Sequence, residues 1–96
     1  MNQPVDDLRE MLLVITRSLV DHPDNIRVNP VSDGETVTFW VSSHPKDTGK
    51  LIGVNGRIAQ ALRVILHANA VKLQLRLVLN IGSVEADQSG NSIEAG

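Results

Sequence analysis

The pattern of apolar and polar residues divides the chain up to residue 81 into six predicted elements. From Val5 to Val20, apolar positions recur every three or four residues, which is the spacing of one face of an amphipathic helix. Pro23 ends that helix, because proline cannot continue the hydrogen-bond ladder. Ile26 and Val28 then alternate with polar residues and predict a short strand, which must be an edge strand if it contains Pro30.

A second strand follows a turn signal. The dipeptide Asp33-Gly34 is typical of a tight hairpin. After it, Val37 and Phe39 share one face of a strict alternation and Trp40 lies on the other face. This pattern predicts a strand that is buried on one side only.

Two helices and a last strand complete the predicted domain. Asp47 or Thr48 is suited to cap a short helix that ends at Gly53, and a longer helix begins near Gly56. Residues 73–81 alternate again and predict a third strand, which the crossover rule makes parallel to the second. We expect an α+β fold in which a three-stranded mixed sheet carries three helices on one face.

The end of the chain has a different composition. Residues 82–96 are rich in Gly, Ser, Asn and acidic residues and show no periodicity. Such a segment cannot bury enough apolar area to offset the entropy of ordering it. We therefore predict one domain over residues 1–81 and a disordered acidic tail over residues 82–96.

Composition excludes several classes of function. The chain has no cysteine, which excludes disulfides and thiolate chemistry. Its histidines (His22, His44 and His67) are far apart in sequence and are expected at the surface, without a metal. We predict a cytoplasmic protein that is not an enzyme and has no cofactor, no small-molecule substrate and no membrane association.

The net charge of −2 hides an uneven distribution. Residues 1–45 contain three basic and seven acidic residues, whereas residues 46–81 contain six basic residues and the single acid Asp47. The middle of the chain is therefore locally about +5, which favours a polyanionic partner there.

The centre of this basic region is a turn bracketed by Gly53 and Gly56. Glycines permit positive φ and leave no Cβ between the backbone and a ligand. Free N–H groups at the start of the following helix, with its dipole, favour phosphate oxygens. Ile52 and Ile58 beside the turn are suited to contact unstacked bases.

These features resemble a type II KH domain, whose elements follow the same order with a GxxG loop between the last two helices. The resemblance covers residues 5–81 and is strongest to the small bacterial single-KH proteins of the KhpA family. The stretches that carry it are Ser18-Leu19-Val20-Asp21-His22-Pro23, Asp47-Thr48-Gly49-Lys50-Leu51-Ile52-Gly53 and Gly56-Arg57-Ile58-Ala59.

The resemblance implies a protein that binds single-stranded RNA and pairs with itself or with a second KH protein. Relatives commonly have a lysine after the first loop glycine, where this chain has Val54, so we expect weak binding with a shallow salt dependence unless neighbouring cations compensate. The predicted RNA-binding residues are Lys46, Lys50, Ile52, Gly53, Val54, Asn55, Gly56, Arg57, Ile58 and Arg63.

Two surfaces allow alternative interpretations. The long helix is apolar around most of its circumference, so Ile58, Leu62 and Ile65 are expected to face the core while a second stripe meets either a dimer partner or the first helix. Trp40 lies on the open sheet face with Arg27, where it either forms a cation–π or partner contact or lies half covered across neighbouring strands.

Two functions remain open on the sequence. The first is RNA binding through the GxxG loop, as a post-transcriptional regulator or RNA chaperone. The second is a dimerisation or scaffold module with little RNA affinity, which Val54 and the negative net charge favour.

Overall fold

The computed structural model describes residues 3–83. Two helices of seventeen residues account for much of the domain, and a five-residue helix precedes the second of them. In chain order the elements are α1 (Gln3–Leu19), β1 (Arg27–Asp33), β2 (Thr36–Ser43), α2 (Thr48–Ile52), α3 (Arg57–Leu73) and β3 (Arg76–Ser83), with single 3₁₀ turns at Pro23–Asn25 and Val54–Gly56.

The three strands form one mixed sheet in the order β1-β2-β3. β1 and β2 pair antiparallel, whereas β2 and β3 pair parallel with Phe39 opposite Leu79. Pro30 lies on the edge strand β1, where a missing N–H is tolerated. The α+β order and the mixed sheet confirm the fold that the resemblance implies.

The core lies between the inner face of the sheet and the helices. Alternate strand residues point inward, among them the fully buried Phe39. Leu12 of α1, Leu51 of α2 and Leu66 of α3 are buried against them. One sheet face is thus covered by helices, and the other is left open. None of the helices between residues 3 and 83 is long and apolar enough to cross a membrane.

The last strand begins and ends later than predicted. α3 continues to Leu73, and Gln74 then takes a left-handed conformation that ends the helix, so Leu73 and Leu75 precede β3. β3 extends to Ser83, so the first two residues of the predicted tail belong to the sheet. The rest of that tail, residues 84–96, lies outside the described residues.

The inward face of α3 also differs from the prediction. Ala59, Leu62 and Leu66 are buried, whereas Ile65 is exposed and Ile58 is only partly buried. Because α3 is apolar around most of its circumference, periodicity alone did not determine which stripe faces the sheet.

Candidate nucleic-acid interface

The turn between α2 and α3 has an unusual backbone. Gly53 has φ +82°, Asn55 has φ +57° and Gly56 has φ +74°, so three of its four residues lie in conformations that L side chains rarely adopt. Asparagine tolerates the left-handed region better than most residues do. The conformation of the turn therefore depends on having glycine or asparagine at these three positions.

Gly53 is required for a second reason. A Cβ at this position would lie 2.5 Å from Cγ1 of Ile58 and 2.9 Å from its backbone nitrogen. At Gly56, by contrast, an added Cβ meets nothing within 4 Å. Gly53 thus lets the end of α2 pack directly on the first turn of α3, and Gly56 leaves open space above the backbone.

The start of α3 is open to an anionic ligand. Its N-cap is Gly56, which has no side chain to accept hydrogen bonds from the first helical N–H groups. The positive end of the helix dipole lies at the same point. Phosphate oxygens are a natural ligand for such a group of donors.

Apolar side chains surround the turn. Val54 at its tip is 79% exposed, and Ile52 at the end of α2 is also exposed. Ile58 packs partly against the core beneath Gly53. The predicted loop residues therefore lie together, with apolar surface beside a backbone that is open to approach.

The predicted cations are not equivalent. Lys50 Nζ lies 3.4 Å from an oxygen of Asp21 and 3.6 Å from one of Asp47, so its charge is shared with two carboxylates. Lys46 and Arg57 are exposed, and within residues 3–83 their side chains form no ion pair.

Arg63 lies two turns into α3 and faces a different neighbour. Its Nη2 donates to the carbonyl of Leu79 on the edge strand β3, at 3.3 Å. This contact places Arg63 beside the sheet edge and away from the loop tip. Arg63 is therefore engaged with the sheet edge and not with the loop.

A polar cluster that the sequence analysis missed supports α2. The buried Asp47 accepts hydrogen bonds from the backbone N–H and from Nδ1 of His22, each at 2.9 Å. The His22 ring stacks on that of His44 with centroids 4.0 Å apart. Asp47 occupies the N-cap position of α2, as predicted, but its side chain makes no hydrogen bond to the first turn of the helix, which corrects the expected role of the carboxylate. The carboxylate is engaged with the turn after α1 instead.

The charge of Asp47 is stabilised by these donors. Burial by itself raises the pKa of the carboxyl, but the hydrogen bonds that it accepts from His22 and from the backbone of Asp21, together with the electrostatic attraction of the His22 ring, outweigh burial and hold the pKa below its ordinary value. The second oxygen, Oδ1, accepts no hydrogen bond from the described residues, and Lys50 is its counter-charge. The cluster therefore joins the turn after α1 to α2 and keeps Lys50 beside it.

A shallow apolar groove runs between α1 and α3, on the side of α3 away from Arg63. Its lining is almost wholly aliphatic, with Arg57 at one end. The residues are Ile15, Leu19, Arg57, Ile58, Ala61, Leu62 and Ile65. Further along α3, Val64 and Val71 are 57% and 82% exposed.

Comparison with known proteins agrees with the fold and the loop. The RNA-binding protein KhpA of Halalkalibacterium halodurans is 46% identical over 67 residues, 70% of this chain and 88% of that protein. The RNA-binding protein KhpA of Clostridium perfringens is 38% identical over 74 residues, 77% of this chain and 99% of that protein. The protein of the same name in Listeria monocytogenes is 34% identical over 74 residues, 77% of this chain and 97% of that protein.

No solved structure matches the chain significantly. A family model does: the one described as "KhpA/KhpB, KH domain" matches residues 9–81, from within α1 to within β3, and this range includes the GxxG loop. With the fold, the loop and the relatives in agreement, the chain belongs to the KhpA/KhpB family of KH-domain proteins.

Proposed function

We propose that this chain binds single-stranded RNA by holding the phosphate backbone against the GxxG loop and the first turn of α3. The observation that carries the proposal is the loop backbone, with positive φ at Gly53, Asn55 and Gly56 and no Cβ at the N-cap of α3. This conformation presents backbone N–H donors without side-chain obstruction, apart from those of Gly56 and Arg57, which donate to the carbonyls of Gly53 and Val54.

Single strands fit the loop surroundings better than a duplex does. Ile52 and Ile58 place apolar surface next to the phosphate-binding donors. Unstacked bases can cover such surface, whereas the bases of an A-form duplex are stacked inside it. The relatives named above are called RNA-binding proteins, which favours RNA binding over a purely scaffolding role.

The affinity of one copy should be modest. The loop has Val54 in place of a cation, and Lys50 shares its charge with Asp21 and Asp47. Arg57 and Lys46 are then the main free cations near the loop. Few phosphate contacts mean that the affinity falls only gently with added salt.

A second subunit would compensate by avidity. The exposed aliphatic side chains Val64, Ile65 and Val71 of α3 are suited to a partner helix, either in a second copy or in another KH protein. Val64→Asp should convert a dimer to a monomer in sedimentation, while Val14→Asp on the exposed side of α1 should not. An unchanged dimer mass in Val64→Asp would remove α3 from the interface.

The cellular role proposed is post-transcriptional regulation or RNA chaperoning in the cytoplasm. Weak, backbone-directed contact suits a protein that meets many transcripts. Crosslinking in cells, followed by sequencing of the bound RNA, would identify those transcripts.

The direct test places carboxylates in the loop. Val54→Asp with Asn55→Asp should lower RNA affinity at least tenfold, because two negative charges face the phosphates. Aspartate tolerates the left-handed conformation at position 55, so the fold should survive. The matched control adds two carboxylates at exposed positions of α1, Val14→Asp with Ser18→Asp. Equal affinity in the two double variants, measured by fluorescence anisotropy, would place the RNA elsewhere.

A further inference from the structure

The open face of the sheet carries a second group of side chains with nucleic-acid chemistry. Trp40 is 47% exposed there, on the side opposite to Phe39 and the helices. It is the only tryptophan of the chain. Because half of a large aromatic surface remains in solvent, a ligand that covers the indole gains hydrophobic and stacking energy.

The register places an asparagine on each side of Trp40. Asn29 of β1 is its antiparallel partner and Asn80 of β3 is its parallel partner, so the three side chains form one row across the sheet. Neighbouring strands lie about 4.8 Å apart. Within residues 3–83, neither carboxamide has a hydrogen-bond partner. Each can therefore donate to and accept from the same ligand.

The neighbouring rows supply charge and a little apolar surface. Arg27, Ser42 and Val31 line the same shallow depression as Asn29 and Trp40. One guanidinium nitrogen of Arg27 donates to the carbonyls of Asp24 and Ile26, which leaves its other donors available. The only carboxylate on the open face of the three described strands, Asp33, is at the far end of β1. On the open face of the described strands, the Trp40 end therefore carries Arg27 and no carboxylate.

The loop lies at this same end of the sheet. α3 ends at Leu73 just before β3 begins, so it runs back over β3 and brings the GxxG loop to the end of the sheet where β3 stops. The contact between Arg63 and Leu79 agrees with this direction. Trp40 lies three residues before the end of β2, about 10 Å from that edge. A strand of several nucleotides held at the loop can reach the open face around the sheet end.

We propose that the open sheet face is a second RNA contact, in which an unstacked adenine stacks on Trp40 and pairs its edge with Asn29 or Asn80 while Arg27 holds a phosphate. Asparagine carboxamides match the adjacent donor and acceptor of adenine, and indole stacking accepts any base. The proposal rests on the proposed RNA binding and adds a preference to it. A protein partner is the less favoured occupant, because the indole is flanked by two carboxamides and has Arg27 on the side of the sheet end, while Val31 is the one exposed aliphatic side chain that lines the depression.

The lone tryptophan makes the test specific. Oligo(rA) and oligo(rU) of twelve nucleotides are titrated into the protein, with binding read by anisotropy and Trp40 by its fluorescence. Oligo(rA) should quench the tryptophan along the same curve as the anisotropy, and should bind more tightly than oligo(rU). Trp40→Leu should lose about fivefold or more in affinity for oligo(rA), whereas Trp40→Phe should keep most of it. Asn29→Ala with Asn80→Ala should remove the preference for adenine.

The outcomes separate this proposal from the function on which it rests. Binding with unchanged tryptophan emission, and equal affinity in Trp40→Leu, would overturn the second contact and leave loop binding intact. Absence of any binding by anisotropy would overturn both. A blue shift that grows with protein concentration without RNA would assign the open face to a second copy of the chain. Val14→Leu, a conservative change at an exposed position of α1, is the control for non-specific effects of substitution.

Discussion

The GxxG loop and the open face of the sheet present different chemistry to a ligand. The loop offers backbone donors in a conformation fixed by Gly53, Asn55 and Gly56, with few free cations. The open face offers side chains, an indole between two carboxamides, on a backbone that is ordinary β-sheet. Backbone donors recognise phosphate without regard to sequence, whereas base edges are read by side chains. We infer that the loop holds the RNA backbone and that the open face of the sheet supplies a preference for particular bases.

Gly53→Ala should have the largest effect on the stability of the fold, and the cause of that effect lies in the loop. Its Cβ would clash with Ile58 at a backbone conformation that disfavours L residues, so we expect a loss of roughly 2–4 kcal/mol in the free energy of unfolding. Gly56→Ala has space for its Cβ and should cost only about 1 kcal/mol, for its positive φ alone. Urea unfolding followed by Trp40 emission measures both. Equal losses would show that packing on Ile58 does not set the loop geometry.

Asp47→Asn should have the next largest effect on stability, because Asp47 joins the start of α2 to the turn after α1. Because the pKa of Asp47 in the folded protein is lowered, its charge stabilises the fold above the ordinary aspartate pKa, and that stabilisation is lost as the pH falls below about 4. The urea midpoint of the native chain should therefore fall more steeply between pH 5 and pH 3 than that of Asp47→Asn.

The control for this prediction is Asp21→Asn. Asp21 shares Lys50 with Asp47, but its side chain is 74% exposed. Its substitution should leave the acid dependence of the urea midpoint nearly unchanged. If Asp47→Asn and the native chain showed the same acid dependence, the ionised form of Asp47 would contribute nothing to the stability of the fold.

Substitution of single cations near the loop should have the smallest effects, and these effects on RNA binding should differ between Arg57 and Lys50. Arg57→Gln should weaken RNA binding and lower the slope of log affinity against log salt by about one, as expected for one lost phosphate contact. Lys50→Gln should change the slope less, because Lys50 is held by Asp21 and Asp47. Anisotropy titrations at several salt concentrations measure both slopes. A larger change for Lys50→Gln would mean that RNA displaces its carboxylate partners.

The loop and the open face also differ in how far the sequence predicted them. The loop was predictable because its sequence pattern is local, with two glycines between two helical patterns. The outward direction of Trp40 followed from alternation within one strand. The sequence did not predict that Asn29 and Asn80 lie on either side of Trp40, because the pairing register of three strands is set by tertiary contacts.

The other features that the sequence did not predict also depend on tertiary contacts. His22 and Asp47 are 25 residues apart, and only the packing of α1 beside α2 brings them together. That packing also engages Lys50, which the charge count had treated as a free cation. On α3, Ala59 and Leu66 face the core in place of Ile58 and Ile65, a choice that depends on where α1 and the sheet lie rather than on hydrophobicity.

The most direct test of loop binding is an NMR titration of the ¹⁵N-labelled chain with a single-stranded RNA oligonucleotide. If phosphates bind at the loop, the largest amide shifts should fall on Val54 to Ala59, at the loop and the first turn of α3, and they should be lost in Val54→Asp with Asn55→Asp. Saturable binding that left those amides unmoved, with shifts confined to other parts of the chain, would contradict the account.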